Sequence, residues 1–227
     1  MALTRDDQAR LAIAGDGEPV EWLVQMRKLP RERMLDRCLV SSVVMPHELE
    51  AVSQLLSSFY RRASPAAWSG AHSCHQLAES ISNASAGLLT QSFGLPRDQL
   101  AAIARGLEAF VVAHRAELIQ RVRIGRVIDA HGDLRPEHIC LESPPVIIDC
   151  LEFNPDLRIL GTASEMSFLA QECELLTDGW GGTSEVGQTL WRNYIRHTRD
   201  PVSTELCRFY RRYPVKSRPA ADPSPRR

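Results

Sequence analysis

The spacing of apolar and polar positions changes period several times along the chain. In ARLAIAGDGEPVEWLVQMRKLP, two apolar runs, Leu11 to Ala14 and Val20 to Met26, flank Gly15-Asp16-Gly17. Asp-Gly between apolar runs is a strong turn signal, so this segment predicts a β-hairpin that ends at Pro30. The period then lengthens. Met34, Leu35, Cys38 and Leu39 fall at helical spacing, and a longer helix is predicted from Pro46, a favoured first-turn residue. Leu49, Val52, Leu55, Leu56 and Phe59 form its apolar stripe. Residues 61–75 are small and polar and read as a loop. Helical spacing resumes weakly at Leu77, Ile81 and Leu88. It becomes strong from Pro96 to about Arg121, through Leu100, Ile103, Leu107, Phe110, Val111 and Leu118, and Gly125 stops it.

After Gly125 the period shortens to that of strands. RVIDA reads as a strand, HGDLRPEH as a polar loop, ICLE as a strand, SPP as a turn and VIID as the second strand of a small hairpin. Helical spacing returns from Thr162 to Leu176 through Met166, Leu169 and Cys173, and again from Glu185 to about His197. Beyond Tyr213, four prolines among basic residues predict a disordered basic tail, 213–227.

Composition narrows the class. Of 227 residues, 24% are charged and 44% hydrophobic, which suits a globular chain and excludes whole-chain disorder, collagen and coiled coil. A net charge of -1 predicts no bulk attraction to nucleic acid or to a membrane surface. No stretch has the roughly 20 apolar residues that a membrane helix needs. The N-terminus is charged from Arg5 onward and has no apolar core, so it does not read as a signal peptide. The six cysteines stand singly with no CxxC pair, and read as reduced thiols in a cytoplasmic protein. His72, Cys74 and His75 have ligand-like density but no second cluster near them, and read as incidental.

The polar loop is where acidic and imidazole groups crowd between strands. His131, Asp133 and His138 lie within one short segment, Asp149 follows at the end of the hairpin, and Glu152 comes three residues later. A hairpin folds back on itself, so it returns Asp149 to the neighbourhood of Asp133 and His138. Two carboxylates held close repel each other and call for a cation or a shared proton between them, a need that a hard divalent ion with phosphate oxygens meets. Plainer roles exist for each residue. His131 and Asp133 can brace a turn, Asp149 can cap a strand end, and His138 can be an ordinary hydrogen-bonded histidine.

HGDLRPEHI followed by VIIDCLEFN resembles the catalytic loop and metal-binding segment of aminoglycoside phosphotransferase-like kinases, whose pattern is H-G-D-[LI]-H-x-x-N-[IL] and then I-D-x-x-[DE]. VEWLVQMRKLPRERMLD is similar to an uncharacterised bacterial subgroup of that family, some members of which are fused to an ATPase domain. The resemblance implies an α+β, protein kinase-like fold that moves the ATP γ-phosphate to the hydroxyl of a small molecule. It makes Asp133 the catalytic residue, Asp149 the holder of Mg2+ and Glu152 the trailing acid, with His131 bracing the loop. Two positions depart from the pattern. His138 stands where the family has its metal-binding Asn, and Arg135 where it has a second His. Imidazole is a softer ligand than an amide oxygen, so magnesium binding is expected to weaken, with Mn2+ as the alternative.

The resemblance also implies a nucleotide lobe larger than one hairpin. Val24-Gln25-Met26-Arg27 aligns with the family's V-A-I-K, which puts Arg27 at the nucleotide-binding position, although Arg27 also reads as a surface strand residue. Glu32 or Asp36 would be its partner. The expected organisation is a reduced N-lobe at 1–45, a helical C-lobe at 46–212 with catalytic loop 131–138 and metal segment 147–152, and the tail. Further helix is implied after Trp191 to Tyr194, so the chain reads as a family member shortened at both ends, with a separate ATPase domain or missing lobe as a partner. Two rival functions remain: a degenerate, inactive kinase-like binding module, and a metal-dependent phosphoesterase using His131, Asp133 and His138 as ligands.

Overall fold

The computed structural model describes residues 1–90, 96–177 and 185–212. The predicted tail at 213–227 lies outside them. The chain is α+β, with predominant helix and three small antiparallel sheets, and it divides into two compact units, Met1–Pro30 and the remainder from Arg31.

The first unit is a three-stranded sheet of β1 (Ala2–Arg5), β2 (Leu11–Ile13) and β3 (Glu18–Trp22) in the order β2-β1-β3. This corrects the predicted hairpin. The two apolar runs flank a central strand that the pattern did not reveal, and each pairs with β1, through Leu3↔Ile13 on one side and Leu3↔Glu21 on the other. The reason is local. Asp6 closes a tight turn between β1 and β2, its Oδ1 accepting the N–H groups of Gln8 and Arg10 at 2.9 Å each, with Ala9 at φ 60°. That turn claims β2, so the Gly-Asp-Gly segment carries the chain over to the other edge of β1. Gly17 is needed there because a side-chain carbon would collide with the carbonyl group of Arg5. The strand ends at Trp22, so Val24 to Arg27 is not part of the ladder and Arg27 lies exposed beyond the sheet.

In the larger unit, α1 (Leu35–Val40) buries Leu35, Cys38 and Leu39. Those side chains tie α1 to this unit's core, which is why the smaller unit ends at Pro30 and not near residue 45. Helix α2 (Pro46–Arg62) starts at the predicted proline, where the Glu48 carboxylate accepts the Met45 N–H at 2.8 Å. It buries Leu49, Val52, Leu56 and Tyr60. Helix α3 (Gly70–Thr90) takes in the second part of the predicted loop, which therefore ends at residue 69. At Gly70 the chain passes so close to Ile119 that a side chain would clash, so small and polar residues here serve packing and not loop formation. The predicted helix from Pro96 is two helices, α4 (Arg97–Ala113) and α5 (Arg115–Arg123), broken at His114, whose ring stacks on Phe110 at 4.0 Å. Both pack on α3. Gly125 ends α5 at φ 68°.

Strand β4 (Val127–Asp129) leads into the polar loop, and β5 (Ile139–Cys140) and β6 (Val146–Ile147) form the expected hairpin. Strand β7 (Ile159–Gly161) pairs antiparallel with β4, Ile128 opposite Leu160. Helix α6 (Thr162–Thr177) is buried on all sides from Thr162 to Ala170. Helices α7 (Glu185–Thr198) and α8 (Thr204–Arg212) pack against it. Ile128, Leu134, Ile139, Met166, Leu169, Leu190 and Leu206 are fully buried, so β4, the polar loop and the hairpin rest on one core shared with α6 to α8.

One buried ionic group ties this half together. Arg121 donates to both oxygens of Asp200 at 2.8 Å, with side chains 3% and 0% exposed, and the Tyr194 hydroxyl donates to the same carboxylate. Burial alone would raise the Asp200 pKa, but the Arg121 hydrogen bonds and charge hold it below the ordinary carboxylate value.

Candidate active site

The loop between β4 and β5 is held in shape by hydrogen bonds to the segments around it and by the buried side chains of His131, Leu134 and Glu165. Arg158 clasps the end of β4, donating to Asp129 at 2.7 and 3.1 Å, and the Ala130 N–H bonds the Arg158 carbonyl at 2.8 Å. Leu134, fully buried, plants the middle of the loop in the core. Gly132 sits at φ 81° with its N–H donated to the Glu165 carboxylate of α6 at 2.8 Å. A Cβ there would lie 3.0–3.2 Å from Leu151, Arg158 and the Leu157 carbonyl, so glycine is required on both conformational and steric grounds. Glu165 is itself 3% exposed and takes a second hydrogen bond from the Tyr60 hydroxyl of α2 at 3.0 Å.

His131 lies under the loop. Its Nε2 is 2.8 Å from the Ile148 carbonyl, which only accepts, so Nε2 carries the hydrogen. Nδ1 then accepts the Asp133 N–H at 3.3 Å. The same ring thus fixes the backbone at Asp133 and the backbone one residue before Asp149. The Leu151 N–H adds a bond to the His131 carbonyl at 3.1 Å.

His138 makes the corresponding link from the other side. Its Nδ1 donates to the Asp133 carbonyl at 2.7 Å, and its Nε2 stands 3.2 Å from Oδ2 of Asp149. The two imidazole rings lie 5.8 Å apart and nearly parallel. Asp149 has φ 64°, a left-handed conformation that a short polar side chain tolerates, and its carboxylate is 75% exposed beside the 12% exposed His138 side chain. Asp133 is also partly open, its side chain 30% exposed, with the Arg135 Nε 3.3 Å from Oδ1. Arg135 is shared among carboxylates. It donates to Glu137 at 3.0 Å, approaches Glu172 at 3.8 Å, and lies over the Phe168 ring at 5.8 Å. Its burial would weaken its charge, but these acids raise its pKa above the ordinary arginine value.

His131, Asp133, Arg135, His138 and Asp149 are therefore gathered at one place. Glu152 is exposed on the segment after Asp149, where its charge adds to that of Asp129 on Arg158. Arg27 belongs to the smaller unit. Glu165 escaped sequence reading; the signal for it is a lone acidic residue inside the otherwise uncharged run from Thr162 to Ala170.

The donor set suits a divalent cation of limited protein coordination. Asp149 offers an exposed carboxylate oxygen, and His138, with its hydrogen on Nδ1, turns the Nε2 lone pair toward the same space. A separation of 3.2 Å between them fits two neighbouring ligands of one ion. Among the described residues no group of three or more His, Cys, Asp or Glu side chains is placed to hold a metal. Phosphate oxygens and water would have to complete such a site.

Three uncharacterised mycobacterial proteins, one from Mycobacterium bovis and two from Mycobacterium tuberculosis strains, are each 24% identical to this chain over 208 residues. The similarity covers 88% of this chain but 39% of each relative, so the chain spans about two-fifths of their length. No family model matches the chain. No solved structure matches it. Among the described residues no helix is long and apolar enough to cross a membrane.

Proposed function

We propose that this chain is a phosphotransferase of the protein kinase-like fold that moves the γ-phosphoryl group of ATP to a hydroxyl of a small molecule. The observation that carries the reading is the double link through His138, which joins the Asp133 backbone to the Asp149 carboxylate, two residues whose side chains are 30% and 75% exposed. Asp133 takes the acceptor proton as the hydroxyl oxygen bonds to phosphorus and the bond to the departing ADP oxygen breaks. The Arg135 guanidinium, 3.3 Å from Asp133 Oδ1, would hold the carboxylate in place for this role. His131 and Glu165 hold the loop backbone so that Asp133 is presented and not buried. A divalent ion held by Asp149 and His138 would neutralise phosphate charge during transfer. The remaining chemistry is positioning, which is most of what phosphoryl transfer requires.

Cysteines that stand singly with no CxxC pair, and ATP as donor, fit a cytoplasmic location. The additional length of the mycobacterial relatives fits a separate ATPase domain or missing lobe as partner. A second reading, a degenerate kinase-like module that binds without catalysis, draws support from the same pair, since a protonated His138 would neutralise Asp149 with no metal. A phosphoesterase using His131 as ligand is disfavoured, because both ring nitrogens of His131 are engaged by backbone groups.

Thermal shift with ATP and a divalent ion, followed by transfer of labelled phosphate to a panel of hydroxyl compounds, tests the proposal. Wild type is expected to gain stability and turn over. Asp149→Ala should lose both, and Asp133→Asn should keep the shift but lose turnover. Equal shifts in wild type and Asp149→Ala, or turnover that survives Asp133→Asn, would sink it.

A further inference from the structure

We infer that His138 makes this a site for a first-row transition-metal dication in preference to magnesium. The inference rests on the phosphotransferase reading and deepens it. The Asp133 carbonyl can only accept, so at 2.7 Å it fixes the hydrogen on Nδ1 of His138. In the neutral ring the Nε2 lone pair then lies in the ring plane, on the side of Asp149 Oδ2. A backbone hydrogen bond to the opposite ring nitrogen is the arrangement that orients a metal-binding imidazole and raises its basicity. The ring cannot easily swing aside. Its side chain is 12% exposed, and it lies 5.8 Å from His131, which is pinned in turn to the Ile148 carbonyl. Nitrogen is thus a built-in donor of the site.

Magnesium demands near-octahedral oxygen ligands and gives up water reluctantly, whereas imidazole nitrogen is a better donor to later and more polarisable dications. With two protein ligands, the ion arrives with the phosphates of the nucleotide, so the selectivity is for one metal–nucleotide complex over another.

The test is calorimetric titration of the full chain with preformed Mn2+–ATP, Co2+–ATP and Mg2+–ATP, with electron spin-echo spectroscopy of the manganese complex. Manganese and cobalt complexes are expected to bind about tenfold tighter than the magnesium complex. The manganese spectrum should show a directly bound imidazole nitrogen, distinguished from adenine nitrogen by isotope-labelled histidine. His138→Gln, which puts an amide oxygen near the Nε2 position, should bring the metals to within about threefold of one another and abolish the imidazole coupling. Equal affinity for magnesium and manganese in wild type, a manganese complex without imidazole coupling, or nucleotide binding unchanged by a chelator overturns the inference and leaves ATP binding standing. Failure to bind any metal–nucleotide complex instead removes the phosphotransferase reading, and this inference with it.

Discussion

Glu165 accepts the Gly132 amide at 2.8 Å across a sequence separation of 33 residues. The bond joins the part of α6 that is buried on every side to the turn that presents Asp133. Because the same carboxylate takes the Tyr60 hydroxyl, α2, α6 and the loop meet at one buried charge. Removing it with Glu165→Ala would orphan a backbone N–H and a phenol, each costing about 1–3 kcal/mol. Glu165→Gln keeps an acceptor for Gly132 and should recover most of that loss. Urea denaturation of the two variants checks it, and equal loss in both would refute the acceptor role.

Gly132→Ala should impair the site without replacing any charged residue. It forces a side chain into a left-handed conformation and against Leu151, Arg158 and the Leu157 carbonyl. Strain of this kind costs about 1–3 kcal/mol, which the loop would relieve by moving. Nucleotide-induced thermal shift should fall in this variant. An unchanged shift would mean that the loop geometry is not the determinant.

Arg121→Met should be among the most damaging single changes, because it strips the buried Asp200 of its bidentate partner and leaves only the more distant Arg126, 3.8 Å away, to offset its charge, a loss of about 3 kcal/mol. The same pair has an acid signature. The folded pKa of Asp200 lies below the ordinary 3.8, so its contribution is complete above that value and is lost as pH falls through the folded pKa. Wild type is therefore expected to lose stability on acidification below about pH 4. Replacing both Arg121 and Asp200 with apolar residues should flatten that part of the curve.

At the alkaline end the buried phenols dominate. Burial pushes Tyr60 well above its ordinary value of 10.0, and pushes Tyr210 up to about 12. Raised folded pKa values mean that stability is fully present below pH 10 and declines as pH climbs from there, since the unfolded chain releases these protons first. Denaturant midpoints measured across this range should fall as tyrosinate absorbance, followed in parallel, rises. Tyr210→Phe should reduce the slope.

Much of the site was legible before any fold was known. Asp133, His138 and Asp149 stand out because a polar, imidazole-rich loop interrupts apolar strands, and a hairpin two residues wide on each side must return its end to its beginning. Glu165 was not legible in the same way, since helical periodicity marks which face is apolar and says little about a helix that is buried all round. The smaller unit misled for a different reason. The pattern around Gly15 to Gly17 is that of a hairpin, yet four residues of strand at the start of the chain and an Asp6 turn capture β2 first.

Periodicity and turn chemistry were enough to set the class of most elements: α2 from Pro46, the stop at Gly125, the β5–β6 hairpin and α6. These depend on interactions between near neighbours, which sequence spells out directly. Which strand lies between two others, where α4 gives way to α5 at His114, which buried carboxylate receives the Gly132 amide, and which imidazole nitrogen faces Asp149 were decided by packing. Each of those turns on groups competing for the same few hydrogen bonds and the same core volume, and that competition has no period to read.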